Sequence, residues 1–424
     1  MILFRKMFLF LVFNQLVFVS CQSKKENASI DIDLSVKASN INSMSGFLHY
    51  QDIKTLDSDI KKLKPKYWRI GWSFKSMEEI DYMRKNNITP IMVVSDKYGY
   101  PYETHKKWED PLKTDKLVVL LKNMYQQMGN TVIYDIWNES SFEEQEFFSI
   151  FKKAHDIIRS QPGGDKALIS GPSYDKYDPK QIDRFLQFCL NNNVRLDVMS
   201  WHEWRYGDKE FQDIKKDIAE LKGILKTKYV KVGVKKIILN EVVFADIQFN
   251  PTEILQTLKS LEESGIDGAC KACWEESNGL SNCNNNSMDG ILDQKGEPRS
   301  AWWAYKLYNL SLQNRVIAQS DESNLIPLVS YDDKNIHLIV ANNSMYSINQ
   351  VRISAKNLLK NSNLKKYKTF NLKVYQIPNT GENVLLEPQL LSSKQLKLTN
   401  NDQLIYNLTS TDSKTLYYLV LSGK

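Results

Sequence analysis

The sequence predicts an α/β protein, a (β/α)8 TIM barrel followed by an all-β sandwich domain. Three observations carry this. Apolar runs of strand length alternate with amphipathic helical stretches eight times between residues 46 and 310, a count and length that match a closed barrel. No Gly-x-Gly-x-x-Gly turn follows any of these runs, which argues against an open, doubly wound sheet. From about residue 318 the runs become short, alternating or β-branched, and are separated by Asn, Asp, Gly and Pro turns, the texture of a sandwich.

Taken in order, residues 30–36 (Ile-Asp-Ile-Asp-Leu-Ser-Val) alternate with period two and read as a half-exposed strand that precedes the barrel. The barrel strands are then read at 46–50, 67–72, 88–94, 133–139, 167–172, 196–202, 236–241 and 268–274. Helices are expected near 52–64, 76–86, 114–128, 143–161, 179–191, 209–227, 252–264 and 298–310. In the last region the strand-like runs are 336–341, 351–354, 370–375 and 416–421. The expected division is a signal peptide over 1–20, a tether and possible sandwich strand over 21–34, the barrel over 35–315 and the sandwich over 316–424.

Composition narrows the function. Hydrophobic residues make up 42% of the chain, too many for a disordered protein. The 56 Lys and Arg exceed the 50 Asp and Glu by six; without Arg5 and Lys6 the surplus is four, and no basic block points to nucleic acid. Arg5-Lys6 followed by an apolar stretch from Met7 to Val19 reads as an export signal, too short to span a bilayer. It ends in Phe18-Val19-Ser20-Cys21, which resembles a bacterial lipobox; an ordinary secretory signal or a single membrane anchor is the alternative, and all three export the protein. That resemblance implies acylation of Cys21 and an exported protein anchored to a membrane on the periplasmic side or at the cell surface. Cys189 falls in an apolar helical run, and Cys270, Cys273 and Cys283 read as small apolar side chains near a strand end. A disulfide involving Cys283 is the alternative, and no second Cys-x-x-Cys or His pair suggests zinc. Neither metal nor other cofactor is implied.

The chemistry lies in two strand ends. Ile133-Tyr134-Asp135-Ile136-Trp137-Asn138-Glu139 and Lys236-Ile237-Ile238-Leu239-Asn240-Glu241 each deliver an Asn-Glu pair after an apolar run. On a barrel these ends share one rim, where catalytic groups sit. Two carboxylates about 5 Å apart suit double displacement at a glycosidic bond, one protonating the leaving oxygen and the other attacking the sugar. For that, Glu139 needs an apolar setting or a negative neighbour to raise its pKa, while Glu241 must stay ionised. Glu203 is a rival acid, and Glu275-Glu276 read as solvated loop or as hydroxyl-binding groups.

This arrangement resembles the clan A glycoside hydrolases, retaining enzymes with an Asn-Glu acid/base at strand four and a Glu nucleophile at strand seven. The resemblance is strongest to family 39, which includes β-xylosidases and α-L-iduronidases. It implies Glu139 as acid/base, Glu241 as nucleophile, Arg69 beneath the nucleophile, and Asn138 at the sugar 2-hydroxyl. It further implies a substrate contact from His202 within Trp201-His202-Glu203-Trp204 and from Trp274 as an aromatic platform. His49 on the first strand and Trp204 are read from their positions as further substrate contacts. The nucleophile strand departs from the family pattern, reading Asn240-Glu241-Val242 where a Thr-Glu-Trp type of ending is usual. The expected partners are a glycan substrate and a membrane, and the competing function is a non-catalytic glycan-binding lipoprotein on the same barrel. A metal-dependent hydrolase would need clustered His or Asp at strand ends, and the five His are scattered.

Overall fold

The computed structural model describes residues 25–38, 41–48, 52–100, 109–283 and 285–424. The chain starts with β1 (Lys25–Lys37), in which Ala28, Ile30, Ile32 and Leu34 are buried between more exposed neighbours. That strand runs five residues further back than the alternating pattern marks, because backbone pairing with a neighbour carries on from Lys25 where the apolar period has stopped.

Eight parallel strands follow in barrel order: β2 (Gly46–Leu48), β3 (Tyr67–Ile70), β4 (Thr89–Val93), β5 (Ile133–Asp135), β6 (Leu168–Tyr174), β7 (Val198–Glu203), β8 (Lys236–Val242) and β9 (Gly268–Lys271). Between and after them come α1 (Asp57–Leu63), α2 (Met77–Lys85), α3 (Val94–Tyr98), α4 (Lys116–Met128), α5 (Glu144–Arg159), α6 (Pro179–Asn191), α7 (Asp208–Thr227), α8 (Pro251–Glu263) and α9 (Ser300–Leu310). The seam between first and last strand is tight: a Cβ on Gly46 would stand 2.4 Å from the Ala269 carbonyl oxygen, so only glycine admits that approach. Leu48, Tyr67, Ile91, Ile133, Val198, Ile238 and Cys270 fill the barrel interior, and a much larger apolar layer lies between strands and helices. Local signals set several helix starts. Asp178 and Asn250 accept hydrogen bonds from the first-turn amides of α6 and α8, and Pro179 and Pro251 open those helices, as capping chemistry favours.

The remaining strands are β10 (Arg315–Ser320), β11 (Leu325–Tyr331), β12 (Asn335–Asn342), β13 (Ile348–Lys356), β14 (Thr369–Ile377), β15 (Gln389–Lys397), β16 (Gln403–Thr411) and β17 (Thr415–Gly423). With β1 they run in the order β15-β14-β17-β12-β11-β10-β1-β13-β16. β10 and β11 pair only at Arg315↔Ser330 and Val316↔Val329. There the nine strands turn a corner into two layers that close on a second core containing Ile30, Ile32, Leu338, Val340, Ile353, Leu372 and Leu419. β1 lies between β10 and β13, antiparallel to the one and parallel to the other. The first described strand is thus an inner strand of the domain formed by the end of the chain.

The two domains share a polar and apolar junction along α8, eight successive residues of which, 251–258, are buried. Thr252 Oγ1 donates to Asn343 Oδ1 at 2.8 Å, Lys414 Nζ lies 2.7 Å from Glu253 Oε1, and the Arg315–Glu262 ion pair is almost fully enclosed. The amphipathic pattern of this helix is therefore overridden by a neighbour on its outer side.

Replacing Ile30 with Ala should destabilise the protein by about 2–5 kcal/mol, as for other large-to-small changes in a packed core. Val36→Ala, on the exposed end of the same strand, should stay within about 0.5 kcal/mol. Urea unfolding of both variants checks the expectation.

Candidate active site at the C-terminal rim of the barrel

Arg69, on β3, is the centre of the site and is 1% exposed. Its Nε and Nη2 donate to Asp135 Oδ2 at 2.9 and 2.7 Å, Nη2 also to Asn138 Oδ1 at 2.6 Å, and Nη1 to Glu241 Oε1 at 2.8 Å. One planar fork thus reaches a carboxylate beneath the rim, an amide at it, and the carboxylate at the end of β8. Burial works to lower the Arg69 pKa, but the Asp135 and Glu241 charges push it up further from neutrality. Asp135 is in turn held by Ser173 Oγ at 2.5 Å and Asn240 Nδ2 at 2.9 Å. Asn240 is fully buried in this network.

Asp135 is not among the residues the sequence singles out. Its signal was present, since a lone carboxylate within an apolar parallel strand must have a buried cation or strong donors to exist there. Asp96, 8% exposed, adds a further negative charge close enough to affect Arg69. Gly71 makes room for it: a Cβ there would stand 2.1 Å from Asp96 Oδ2.

Asn138 and Glu139 do not lie on the fourth barrel strand, as the apolar run suggests, because β5 stops at Asp135. The chain continues through buried Ile136 and Trp137 into a turn pinned by Asn138 N–H to Ser95 Oγ (3.1 Å) and Glu139 N–H to the Ser173 carbonyl (3.0 Å). Glu139 has φ +44°, and Ser173 and Val243 beside it on the rim have φ +55° and +71°. Left-handed backbone at non-glycine residues costs on the order of 1–3 kcal/mol each and clusters at functional sites.

His202, on β7 directly opposite Glu241 in the β7–β8 register, is wholly buried between the two candidate carboxylates. Its Nδ1 is 2.8 Å from Glu139 Oε1 and its Nε2 is 3.7 Å from Glu241 Oε1. The hydrogen bond with His202 holds the Glu139 carboxyl below the usual range, and this outweighs the opposing effect of burial. Beside His202, Glu139 is therefore biased toward the carboxylate, the reverse of what an acid needs. The side chains of Glu139 and Glu241 are 39% and 16% exposed, so both remain open to a ligand.

Aromatic rings border these groups. The Trp204 ring lies 5.4 Å from His202 and 4.9 Å, edge to face, from Trp274. Phe244 packs 5.5 Å from Trp274, and Tyr206 stacks on Phe244 at 6.2 Å. Trp274 Nε1 donates to the carbonyl of strained Val243 at 2.9 Å. Phe244 and Tyr206 also escape the sequence reading, although each follows a barrel strand by only two or three residues. The loop bearing Trp274 is fastened by a Cys273–Cys283 disulfide, whereas Cys189 and Cys270 are buried free thiols. The apolar reading of Cys273 and Cys283 is corrected: the loop doubles back through a Glu275↔Ser281 bridge and brings two cysteines ten residues apart together.

The fold gathers Arg69, Asn138, Glu139, His202, Trp204, Glu241 and Trp274 at one end of the barrel; His49 and Cys21 lie outside the described residues. Glu203 does not join them, being buried against Trp201 Nε1 and the Arg205 guanidinium. Glu276 is likewise enclosed, paired with Arg299 at 3.1 Å, and Glu275 is exposed on the loop. Among the described residues no three His, Cys, Asp or Glu side chains converge to hold a metal ion.

The fold is that of glycoside hydrolase barrels with a β-sandwich. It is similar to N2152 from Neocallimastix frontalis, at TM-score 0.72 and 16% identity, covering 94% of this chain and 100% of that one. It is also similar to a glucosidase from Croceicoccus marinus, at TM-score 0.69 and 10% identity, covering 94% and 99%. A third likeness is to the glycoside hydrolase family 39 enzyme of Xanthomonas axonopodis pv. citri, at TM-score 0.67 and 12% identity, covering 96% and 100%. No family model matches the chain, and no curated protein does.

Arg69→Met should destabilise the protein by about 3–5 kcal/mol, because it strands the buried Asp135 charge. Adding Asp135→Asn should recover part of that loss, and chemical denaturation of the single and double variants measures both.

Proposed function

We propose that this protein is an exported retaining glycoside hydrolase that cleaves O-glycosidic bonds of an oligosaccharide or polysaccharide, in the manner of a β-xylosidase. The observation that carries this reading is the pair of carboxylates, Glu139 and Glu241, on one buried guanidinium–imidazole network bordered by aromatic rings. In the proposed first step a Glu241 oxygen attacks the anomeric carbon while protonated Glu139 delivers its proton to the departing oxygen. In the second, Glu139 takes a proton from water as the water displaces Glu241. Arg69 Nη1 donates to Glu241 Oε1 at 2.8 Å and holds that carboxylate in place at the rim. Arg69 also occupies Asn138 Oδ1, which fixes the amide flip and leaves the NH2 group to donate to a sugar hydroxyl. Trp204, Trp274 and Phe244 would receive the sugar's C–H faces. The lipid anchor on Cys21 and the export route rest on the sequence of residues 1–21.

The test is hydrolysis of a panel of aryl glycosides and polysaccharides by the soluble form that starts at Gln22, beside Glu241→Gln. The expected result is activity on one sugar class with retained anomeric configuration by NMR. The variant should be slower by about a thousandfold or more, on the order of 4 kcal/mol of barrier. Undiminished hydrolysis by Glu241→Gln would remove Glu241 from the mechanism. No hydrolysis with measurable glycan binding would favour a binding lipoprotein. Loss of labelled palmitate incorporation in Cys21→Ser would support the anchor, and unchanged incorporation would count against it.

A further inference from the structure

His202 is placed unlike a side chain that binds substrate. It is fully buried, yet each ring nitrogen is directed at a different catalytic candidate, Nδ1 at Glu139 Oε1 (2.8 Å) and Nε2 at Glu241 Oε1 (3.7 Å). Nε2 has no hydrogen-bond partner among the described residues. Two carboxylates face the ring, Glu139 and Glu241, and Arg69, the cation beside Glu241, is shared with buried Asp135 and also feels Asp96. A neutral ring with its proton on Nδ1 would turn a bare lone pair toward the Glu241 carboxylate, acceptor against acceptor. A doubly protonated ring presents an N–H to each carboxylate and brings a second positive charge into the cluster.

We propose that His202 stores the catalytic proton: the free protein holds an imidazolium between two carboxylates, and substrate binding transfers the Nδ1 proton to Glu139. This inference rests on the glycosidase reading and explains how a carboxyl that His202 biases toward ionisation becomes an acid. A sugar covering Glu139 removes water from its partly exposed carboxylate and favours its neutral form. The proton passes from Nδ1 to Glu139 Oε1, leaving a neutral ring protonated on Nε2 and facing Glu241. Glu139 gives that proton to the glycosidic oxygen as the bond to Glu241 forms and the C–O bond breaks. On hydrolysis Glu139 accepts a proton from the attacking water, Glu241 departs as a carboxylate, and the proton returns to Nδ1. Protons balance over the cycle. His202 is on this account a positioning and proton-supplying residue that does not touch the sugar.

The test compares wild type with His202→Asn, whose amide can still donate to Glu139 but cannot release a proton, on glycosides of one sugar with graded leaving groups. The expected result is less than a tenfold loss on a dinitrophenyl glycoside, whose departure needs no acid, and a loss of a hundredfold or more on an alkyl glycoside. The pH profile of kcat/KM should change with it. Equal losses on both substrates, or wild-type rates on both, would overturn the proposal and leave His202 a structural group. A second measurement does not depend on the variant folding or on turnover: the 15N imidazole shifts of His202 in the full chain. The proposal requires both nitrogens protonated in the free protein at neutral pH, and a singly protonated ring there would overturn it. If both are protonated but no glycoside is cleaved, the proton bridge stands and the hydrolase reading fails.

Discussion

Everything at the mouth of the barrel depends on the burial of one guanidinium. Arg69 cannot shed its proton, and water does not reach it, so its charge must be met by protein groups. Asp135 meets it from below and Glu241 from the rim, while Asn138 takes the remaining direction of the fork. Because the fork is planar and rigid, these contacts fix the relative positions of β3, the end of β5 and β8. Removing the cation would leave a buried carboxylate uncompensated, a larger penalty than the pair's own net stabilisation. The same interaction therefore stabilises the barrel mouth and orients the groups proposed to do chemistry.

The backbone around this pair is held in conformations it would not adopt alone. Glu139, Ser173 and Val243 each have a positive φ, and each sits where a hydrogen bond redirects a functional group. Glu139 is turned to His202, Ser173 sends its hydroxyl to Asp135, and Val243 offers its carbonyl to Trp274. The strain is sustained by the surrounding packing, in which Trp137 and Trp201 are entirely enclosed. The second domain reaches the same rim. Glu382 accepts from Ser277 N–H and Oγ–H at 2.7 Å, and Trp303 Nε1 donates to the Leu385 carbonyl at 2.8 Å. A turn of the sandwich thus braces the disulfide-closed loop that carries Trp274.

Much of the fold was legible in the sequence because its periods are local. Parallel strands buried on both faces read as apolar runs, helices show a 3.6-residue stripe, and the texture changes where the sandwich begins. The short helix α3 and strands β10, β11, β15 and β16 were less legible. α3 follows β4 without a polar break, and β15 is mostly exposed, with Leu390 and Leu391 turned to solvent, so no buried face marks it. The exclusion of Glu203 from the site was not readable at all, since in sequence it is adjacent to His202 and equally close to a strand end.

The sequence by itself determined that an eight-fold strand–helix rhythm would close into a barrel and that one Asn-Glu pair would come just after its fourth strand and another near the end of its seventh. Those facts follow from side-chain alternation and strand count, which need no knowledge of what packs against what. Only the tertiary structure decided which charges neutralise one another. The Asp135–Arg69–Glu241 chain and the placing of His202 between Glu139 and Glu241 join residues from different elements, and the Cys273–Cys283 bond depends on one loop doubling back on itself. Whether a carboxylate is held ionised depends on distances of a few ångströms across those elements, because the interaction weakens with separation and with access of water, and no spacing along the chain encodes that distance.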